Sequence, residues 1–217
     1  ARAHAEHRGL WKRPHGLPLG RPRVWFDLEG DHSAEVPAPI YLWGLGVDRE
    51  DGFEAEAIVA GVDREGPADV AADREAWTRF LDRAAAIFEA HPGAVWVHYD
   101  QYERVWLERY LARHGAPAGL ARRLMDSLFD LCASLKRSAV LPVPSYSIKR
   151  VAGVLGFSWS DIGTGSQWSV AQYEKARATA DPAERERLFE SLRRYNADDL
   201  AALRHLWRWM EREGPGA

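Results

Sequence analysis

Two carboxylates stand two residues apart near the start of the chain, in Val24-Trp-Phe-Asp-Leu-Glu-Gly30. The β-branched and aromatic residues before Gly30 predict a strand, and side chains two apart on a strand share one face. Asp27 and Glu29 therefore point the same way. On an apolar strand such charges repel and are costly to bury unless a cation lies between them, although an exposed edge strand can end in the same way. Oxygen ligands of this kind favour Mg²⁺ or Mn²⁺ over zinc.

A second acidic motif, Tyr195-Asn-Ala-Asp-Asp199, lies late in the chain. Asp181-Pro-Ala-Glu184 has the residues of a helix start, and a helical pattern continues to about residue 212. Asp199 lies on the apolar stripe of this pattern, whereas Asp198 lies on its polar side. Tyr195 precedes Asp199 by one turn on the same face, so the two side chains can share a site. A hydrogen-bonded Tyr and Asp pair inside the core is the alternative interpretation.

A third motif, His98-Tyr-Asp-Gln-Tyr-Glu103, joins a short predicted strand to a predicted helix. Glu103 lies in the first turn of that helix, just beyond the end of the strand, where open α/β sheets tend to place their sites. Acidic residues are also common in first turns because the helix dipole favours them. Asp100 is a second candidate in this motif, and we rank it below Glu103.

Together these motifs resemble the ribonuclease H-like 3′–5′ exonuclease superfamily, in the branch with four acidic residues and a tyrosine. The matching segments are Asp27-Leu-Glu29, Tyr102-Glu103 and Tyr195-Asn-Ala-Asp-Asp199, in the order that this branch has them. A narrower similarity, to the predicted nuclease domain found beside RecB-type nuclease or helicase segments, rests on further phrases such as Tyr41-Leu-Trp-Gly44 and Ser145-Tyr-Ser-Ile-Lys149. The resemblance extends over about residues 22–212.

The resemblance implies hydrolysis of phosphodiester bonds with two Mg²⁺ or Mn²⁺ ions. It implies that Asp27 bridges the two ions and that Glu29 and Asp199 complete the first site. Glu103 would hold the second ion, partly through water, and Tyr195 would orient the attacking water molecule.

Two further residues are expected to contact the substrate, a single-stranded or 3′-ended DNA or RNA. Lys149 is the first choice for a phosphate contact, and His98 is either a substrate contact or a histidine hydrogen-bonded at the strand end.

The superfamily commonly has Asn where this chain has His98, and Asp where it has Glu103, which leaves the fit of the second ion open. A structure-selective endonuclease and a catalytically inactive module that binds nucleic acid or a partner are therefore the alternatives. Association with a RecB-type protein and a role in DNA repair follow from the narrower similarity.

The elements expected to position these residues begin with strands near 24–29, 39–47 and 53–60, with a hairpin turn at Asp51-Gly52. Helices near 70–90, 102–114 and 146–155 alternate with strands near 94–98 and 127–132, and a loop follows at 158–168. A three-strand antiparallel meander followed by alternating helices and strands predicts an α/β fold, with a mixed sheet flanked by helices as in ribonuclease H.

Composition agrees with one such domain, over residues 23–213, after a basic linker or arm at 1–22. The chain has 217 residues, of which 46% are hydrophobic, and no apolar run is long enough to cross a membrane. Its single cysteine, Cys132, lies in an apolar run, so we expect it to be a core residue. A chain with one cysteine has no internal disulfide, and we therefore expect a cytoplasmic location.

The net charge of −3 is unusual for a nucleic-acid binder, but bound cations would offset part of it. Because the chain begins with Ala rather than Met, we expect either a domain of a longer polypeptide or a chain whose initiator methionine has been removed.

Overall fold

The computed structural model describes residues 10–31, 39–49, 52–62, 69–160 and 165–215. Seven strands and seven helices are assigned within these ranges. The strands are β1 (Leu10–Trp11), β2 (Arg23–Gly30), β3 (Ile40–Arg49), β4 (Gly52–Val59), β5 (Val95–His98), β6 (Leu128–Asp130) and β7 (Ala139–Val140). The helices are α1 (Val70–Ala90), α2 (Tyr102–His114), α3 (Ala118–Ser127), α4 (Leu131–Ser138), α5 (Ile148–Val154), α6 (Ser166–Ala178) and α7 (Pro182–Glu213).

Five of the strands form one mixed sheet in the order β4-β3-β2-β5-β6. β2, β3 and β4 are antiparallel neighbours, whereas β5 pairs parallel with β2 and β6 pairs parallel with β5. The predicted fold class, a meander extended by parallel strands and flanked by helices, is therefore confirmed.

The two faces of β2 pack against different helices. Val24, Phe26 and Leu28 belong to the apolar cluster that includes Trp77 and Phe80 of α1. Trp25 faces the other way, in a cluster with Leu200, Leu203 and Trp207 of α7. Because side chains alternate along a strand, Asp27 and Glu29 follow Trp25 onto the face that α7 covers.

α7 is the longest helix described, with 32 residues, and it begins as the sequence predicts. The Asp181 side chain caps it by accepting from the N–H of Ala183 at 2.9 Å, and Pro182 occupies the first turn. Tyr195 and Asp199 are buried on its inner face, whereas Asp198 is half-buried and accepts from the N–H of Ser160 at 2.9 Å. The helical period therefore places Asp199 over the face of β2 that carries Asp27.

The prediction of a strand near 127–132 is wrong in its second half. β6 ends at Asp130, whose side chain accepts from the N–H of Ala133 at 2.9 Å and so starts α4. The apolar residues after Asp130 thus pack as one side of a helix, although a short apolar run suits a strand equally well. Cys132 is buried in α4, as expected of a core residue. α3 and α6 have no counterpart among the predicted elements.

Several predictions fall on segments outside the described residues. These include Asp51 of the hairpin turn, residues 161–164 of the 158–168 loop and residues 1–9 of the basic arm. The described part of that arm contacts the domain, because β1 pairs with β7 and Trp11 stacks on Trp209 at 5.2 Å between ring centroids. Among the described residues, no helix combines the length and the apolar character needed to cross a bilayer.

Candidate metal centre

Three carboxylates from two elements meet over the sheet. Asp27 and Glu29 project from β2, and Asp199 projects from α7 onto the same face. Each offers an oxygen that lies within 4.8 Å of the corresponding oxygens of the other two. The strand period and the helix period, which the sequence shows separately, therefore bring these predicted residues into one cluster.

Burial makes this cluster costly for the protein alone. Burial raises the pKa of Glu29 to about 8, with a further contribution from the charge of Asp199. Burial likewise raises the pKa of Asp199 to about 6. The pKa of Asp27 is raised well above its usual range, first by burial and then by the charges of Asp199 and Glu29. A positive charge placed among the three carboxylates would reverse these shifts.

Each carboxylate is held by a hydrogen bond from a neighbouring side chain. Asn196 Nδ2 donates to Asp27 Oδ2 at 2.7 Å. Trp159 Nε1 donates to Asp199 Oδ1 at 2.7 Å. These bonds fix the carboxylates in place and leave further oxygen lone pairs for other ligands.

Glu29 is held from α6. Ser169 Oγ donates to Glu29 Oε2 at 2.9 Å, and the Tyr41 hydroxyl donates to Ser169 Oγ at 2.8 Å. Tyr41 lies on β3 and stacks on Tyr173 of α6 at 4.4 Å between ring centroids. A chain of contacts from β3 and α6 therefore ends on the second carboxylate of β2.

Glu103 lies beside the cluster rather than within it. It is 4% exposed, in the first turn of α2, and its charge raises the pKa of both Asp27 and Glu29. The Oε2 atom of Glu103 lies 3.4 Å from Nδ1 of His98, and both atoms are buried without a hydrogen bond among the described residues. Burial raises the pKa of Glu103 as well.

The structure separates the remaining candidates of this motif. His98 is 2% exposed and its Nδ1 lies 3.4 Å from Glu103 Oε2, so both alternatives for His98, a substrate contact and a histidine hydrogen-bonded at the strand end, stay predictions. Asp100 is exposed and lies 3.4 Å from Lys136 Nζ, so Glu103 is the buried carboxylate of the pair.

Lys149 supplies a positive charge at the rim of the cluster. Its Nζ donates to the Tyr195 hydroxyl oxygen at 2.7 Å and lies 4.6 Å from the centroid of the Tyr195 ring. The same charge lowers the pKa of Asp27, Glu29 and Asp199, against the larger effect of burial. The pKa of Tyr195 is raised by burial first and then by the neighbouring carboxylates, so its phenol keeps its proton at neutral pH.

A groove with a volume of about 760 Å³ is lined by Asp27, Glu29, Glu103, Lys149 and Tyr195, whereas Asp199 is not among its lining residues. The segment from Ser145 to Lys149 also lines this groove. Tyr99, Tyr102 and Tyr146 add aromatic surface to the groove. Two of the three clustered carboxylates, Asp27 and Glu29, therefore face this groove.

The residues fit one or more hard divalent cations. The donor atoms are all carboxylate oxygens, which suit Mg²⁺, Mn²⁺ or Ca²⁺, and the cluster lacks the sulfur or histidine ligands typical of zinc sites. Among the described residues, the charge of Lys149 lowers the pKa of Asp27 and Glu29 by less than burial raises it. The buried Glu103 Oε2 also has no hydrogen bond among the described residues, so it too can accept a ligand.

Sequence reasoning missed three residues that contact the carboxylates: Trp159, Ser169 and Asn196. Asn196 carries a usable signal, because it lies three residues before Asp199 and so faces the same side of α7. Trp159 lies in the loop predicted at 158–168, and its contact with Asp199 has no signal in the local sequence. Ser169 carries no local signal, because its role depends on how α6 packs against the sheet.

Comparison with known proteins gives one match. A protein-family model described as RNase H superfamily matches residues 24–211, which include β2, the Glu103 motif and nearly all of α7. Searches of curated proteins and of solved structures gave no significant match. All four acidic candidates, Asp27, Glu29, Glu103 and Asp199, lie within the matched range.

Proposed function

Because this chain belongs to the RNase H superfamily, we propose that it is a divalent-metal-dependent nuclease that removes nucleotides from the 3′ end of DNA or RNA. One observation carries the proposal. Oxygens of Asp27, Glu29 and Asp199 converge to within 4.8 Å, with Asp27 and Glu29 lining the groove, although two of these carboxylates are buried and the third is half-buried, which is costly without a cation.

Asp27, Glu29 and Asp199 would hold one cation, and Glu103 with Asp27 would hold a second. Divalent ions at such a site generate a nucleophile from water and stabilise charge on the phosphate and the leaving oxygen. Mg²⁺ and Mn²⁺ both suit the oxygen donors. His98 would position Glu103 across the 3.4 Å that separates them.

Tyr195 would orient the attacking water molecule by donating to it. Lys149 Nζ already donates to the Tyr195 oxygen, so the phenol hydrogen must point toward a different acceptor. The raised pKa of Tyr195 excludes a role as a general base near neutral pH, because the phenolate is not populated there. Lys149 lines the groove and can in addition contact a substrate phosphate, as the sequence predicts.

Replacing Tyr195 with Phe is expected to lower the cleavage rate constant about 10- to 100-fold, since a hydrogen bond to a reacting group is worth about 1–3 kcal/mol. Mn²⁺ affinity should change by less than about twofold, because the phenol is not proposed as a ligand. Single-turnover kinetics and calorimetric titration with Mn²⁺ measure the two effects separately. Tyr110→Phe is the matched control, because its buried phenol donates to Asp73 and does not line the groove. Equal loss in both variants would contradict the orienting role.

The polarity of cleavage is tested with single-stranded DNA and RNA oligonucleotides labelled at the 5′ or the 3′ end. The protein is incubated with Mg²⁺, Mn²⁺ or EDTA. A ladder of 5′-labelled products that shortens from the 3′ end, and only with a cation, supports the proposal. Internal cuts would indicate the endonuclease alternative, and intact substrate with bound cations would indicate a module that binds nucleic acid. Association with a RecB-type nuclease or helicase remains a prediction.

A further inference from the structure

Gly44 and Gly46 are left unexplained by the proposed chemistry. They are only a fragment of a dinucleotide-binding motif in sequence, and both lie inside β3 rather than in a turn. Gly44 is paired with Asp27 across the β2–β3 ladder. A β-carbon added to Gly44 would lie 1.9 Å from Asn196 Oδ1, whereas at Gly46 the nearest atom, at 2.7 Å, belongs to the Phe53 ring. The absence of a side chain at position 44 therefore makes room for Asn196.

Asn196 is fully buried between α7 and the sheet. Its Nδ2 donates to Asp27 Oδ2 at 2.7 Å, and its Oδ1 has no hydrogen-bond partner among the described residues. The reverse orientation of the amide would set Oδ1 against a carboxylate oxygen, so the donor must face Asp27. A buried amide oxygen without a partner is unfavourable, and an apolar residue would avoid that penalty. The bond to Asp27 is thus the evident gain from a polar residue here.

We propose that Asn196 is the positioning residue for Asp27 and that Gly44 is the gap which admits it. The amide occupies one oxygen of Asp27 and sets the rotation of the carboxylate, so that Asp27 meets Glu29 and Asp199 within 4.8 Å. The inference rests on the proposed function, because it assigns Asn196 to the carboxylate proposed to bridge the cations. It extends that function to a residue that makes no contact with the cation itself.

Calorimetric titration with Mn²⁺, in the absence of substrate, tests the proposal directly. Loss of a group that orients a metal ligand typically weakens metal binding about 10- to 100-fold, and we expect this increase in Kd for Asn196→Ala. Gly44→Ala should weaken binding in the same way, because it displaces the amide. Leu192→Ala is the control, since this fully buried residue lies one turn earlier on α7 and belongs to the apolar core. Its Kd should match that of the parent even though its melting temperature falls.

The double variant Gly44→Ala/Asn196→Ala separates positioning from general damage. If Gly44 acts only by admitting Asn196, the second substitution adds nothing to the first, and the double variant binds Mn²⁺ as Asn196→Ala does. The new methyl group also fills space that the amide has vacated, which favours folding of this variant. Additive losses in the double variant would overturn the role of Gly44 as the gap.

A parent-like Kd for Asn196→Ala would overturn the positioning role while the proposed metal site stands. A parent protein that binds no Mn²⁺ would overturn the metal site, and the inference with it. The two failures are distinguishable because the first requires a parent that binds and the second a parent that does not.

Discussion

Replacing Asp27 with Asn is expected to lower metal-dependent cleavage by about 10³-fold or more, because cations at such sites supply several kcal/mol of transition-state stabilisation. Asn keeps the size of the side chain and can still meet Asn196. It removes the negative charge that would attract both cations, at the point where the oxygens of Glu29 and Asp199 lie within 4.8 Å. The chemistry, rather than the fold, should therefore be lost.

The measurement is single-turnover cleavage of an end-labelled oligonucleotide at saturating Mn²⁺. Asp82→Asn is the matched control, because it makes the same chemical change at an exposed carboxylate on α1. The control should retain the parent rate within about twofold, as surface substitutions usually do. Parent-like cleavage by Asp27→Asn would exclude the three-carboxylate cluster as the reaction centre.

Much of this site could be predicted because it depends on local periodicity. Asp27 and Glu29 share a face through the two-residue period of a strand, and Asp199 faces inward through the helical period of its stripe. The meander and the alternation that follows it depend on turns and apolar runs, which are also local. The carboxylate cluster therefore follows from patterns within single elements, once the fold brings those elements together.

The groups that support the carboxylates could not be predicted in the same way. Ser169 reaches Glu29 over 140 positions, and Trp159 reaches Asp199 over 40, so each contact depends on how a helix or loop packs. α6 itself has little amphipathic contrast, because Trp168 and Tyr173 lie among Gln, Glu and Lys residues. The periodicity of its own residues therefore does not predict this helix, whose position depends on the surface against which it packs.

The end of β6 at Asp130 is another feature that the sequence pattern alone does not predict. In sequence, Leu128-Phe-Asp-Leu-Cys132 is a short apolar run, which a strand and a helix satisfy equally. The structure divides it, because the Asp130 side chain accepts from the N–H of Ala133 and also from that of Asp100. A residue that caps one helix and secures the loop before another ends the strand earlier than apolar character alone suggests.

The carboxylate cluster also predicts how stability depends on pH when no cation is present. The ordinary pKa of Glu29 is 4.5 and its pKa in the folded protein is about 8. The pKa of Asp199 rises from 3.8 to about 6 in the folded protein. In the unfolded chain these groups lose their protons first, so the folded state binds more protons between about pH 4 and pH 8. Their contribution to stability is fully present below pH 4 and is lost as pH rises through the folded values.

Divalent cations should restore the stability that is lost as pH rises. A cation that binds only the folded state stabilises it by about 2.7 kcal/mol at one hundred times its Kd. For a domain of this size that corresponds to roughly 5–10 °C in melting temperature. Because the ligands must be ionised to bind, the increase should be larger at pH 8 than at pH 5.

Thermal unfolding between pH 4.5 and pH 8.5, in EDTA and in Mn²⁺, checks both statements. Ionisable groups elsewhere also contribute to such a profile, so the informative quantity is the difference between the parent and Asp27→Asn. In EDTA the variant should be the more stable protein at pH 8, because it removes a carboxylate whose own pKa is raised by burial and by the charges of Asp199 and Glu29. In Mn²⁺ it should lose most of the stabilisation that the parent gains. A variant less stable than the parent in EDTA at pH 8 would mean that Asp27 is stabilised without a cation, and the site would then be a structural one.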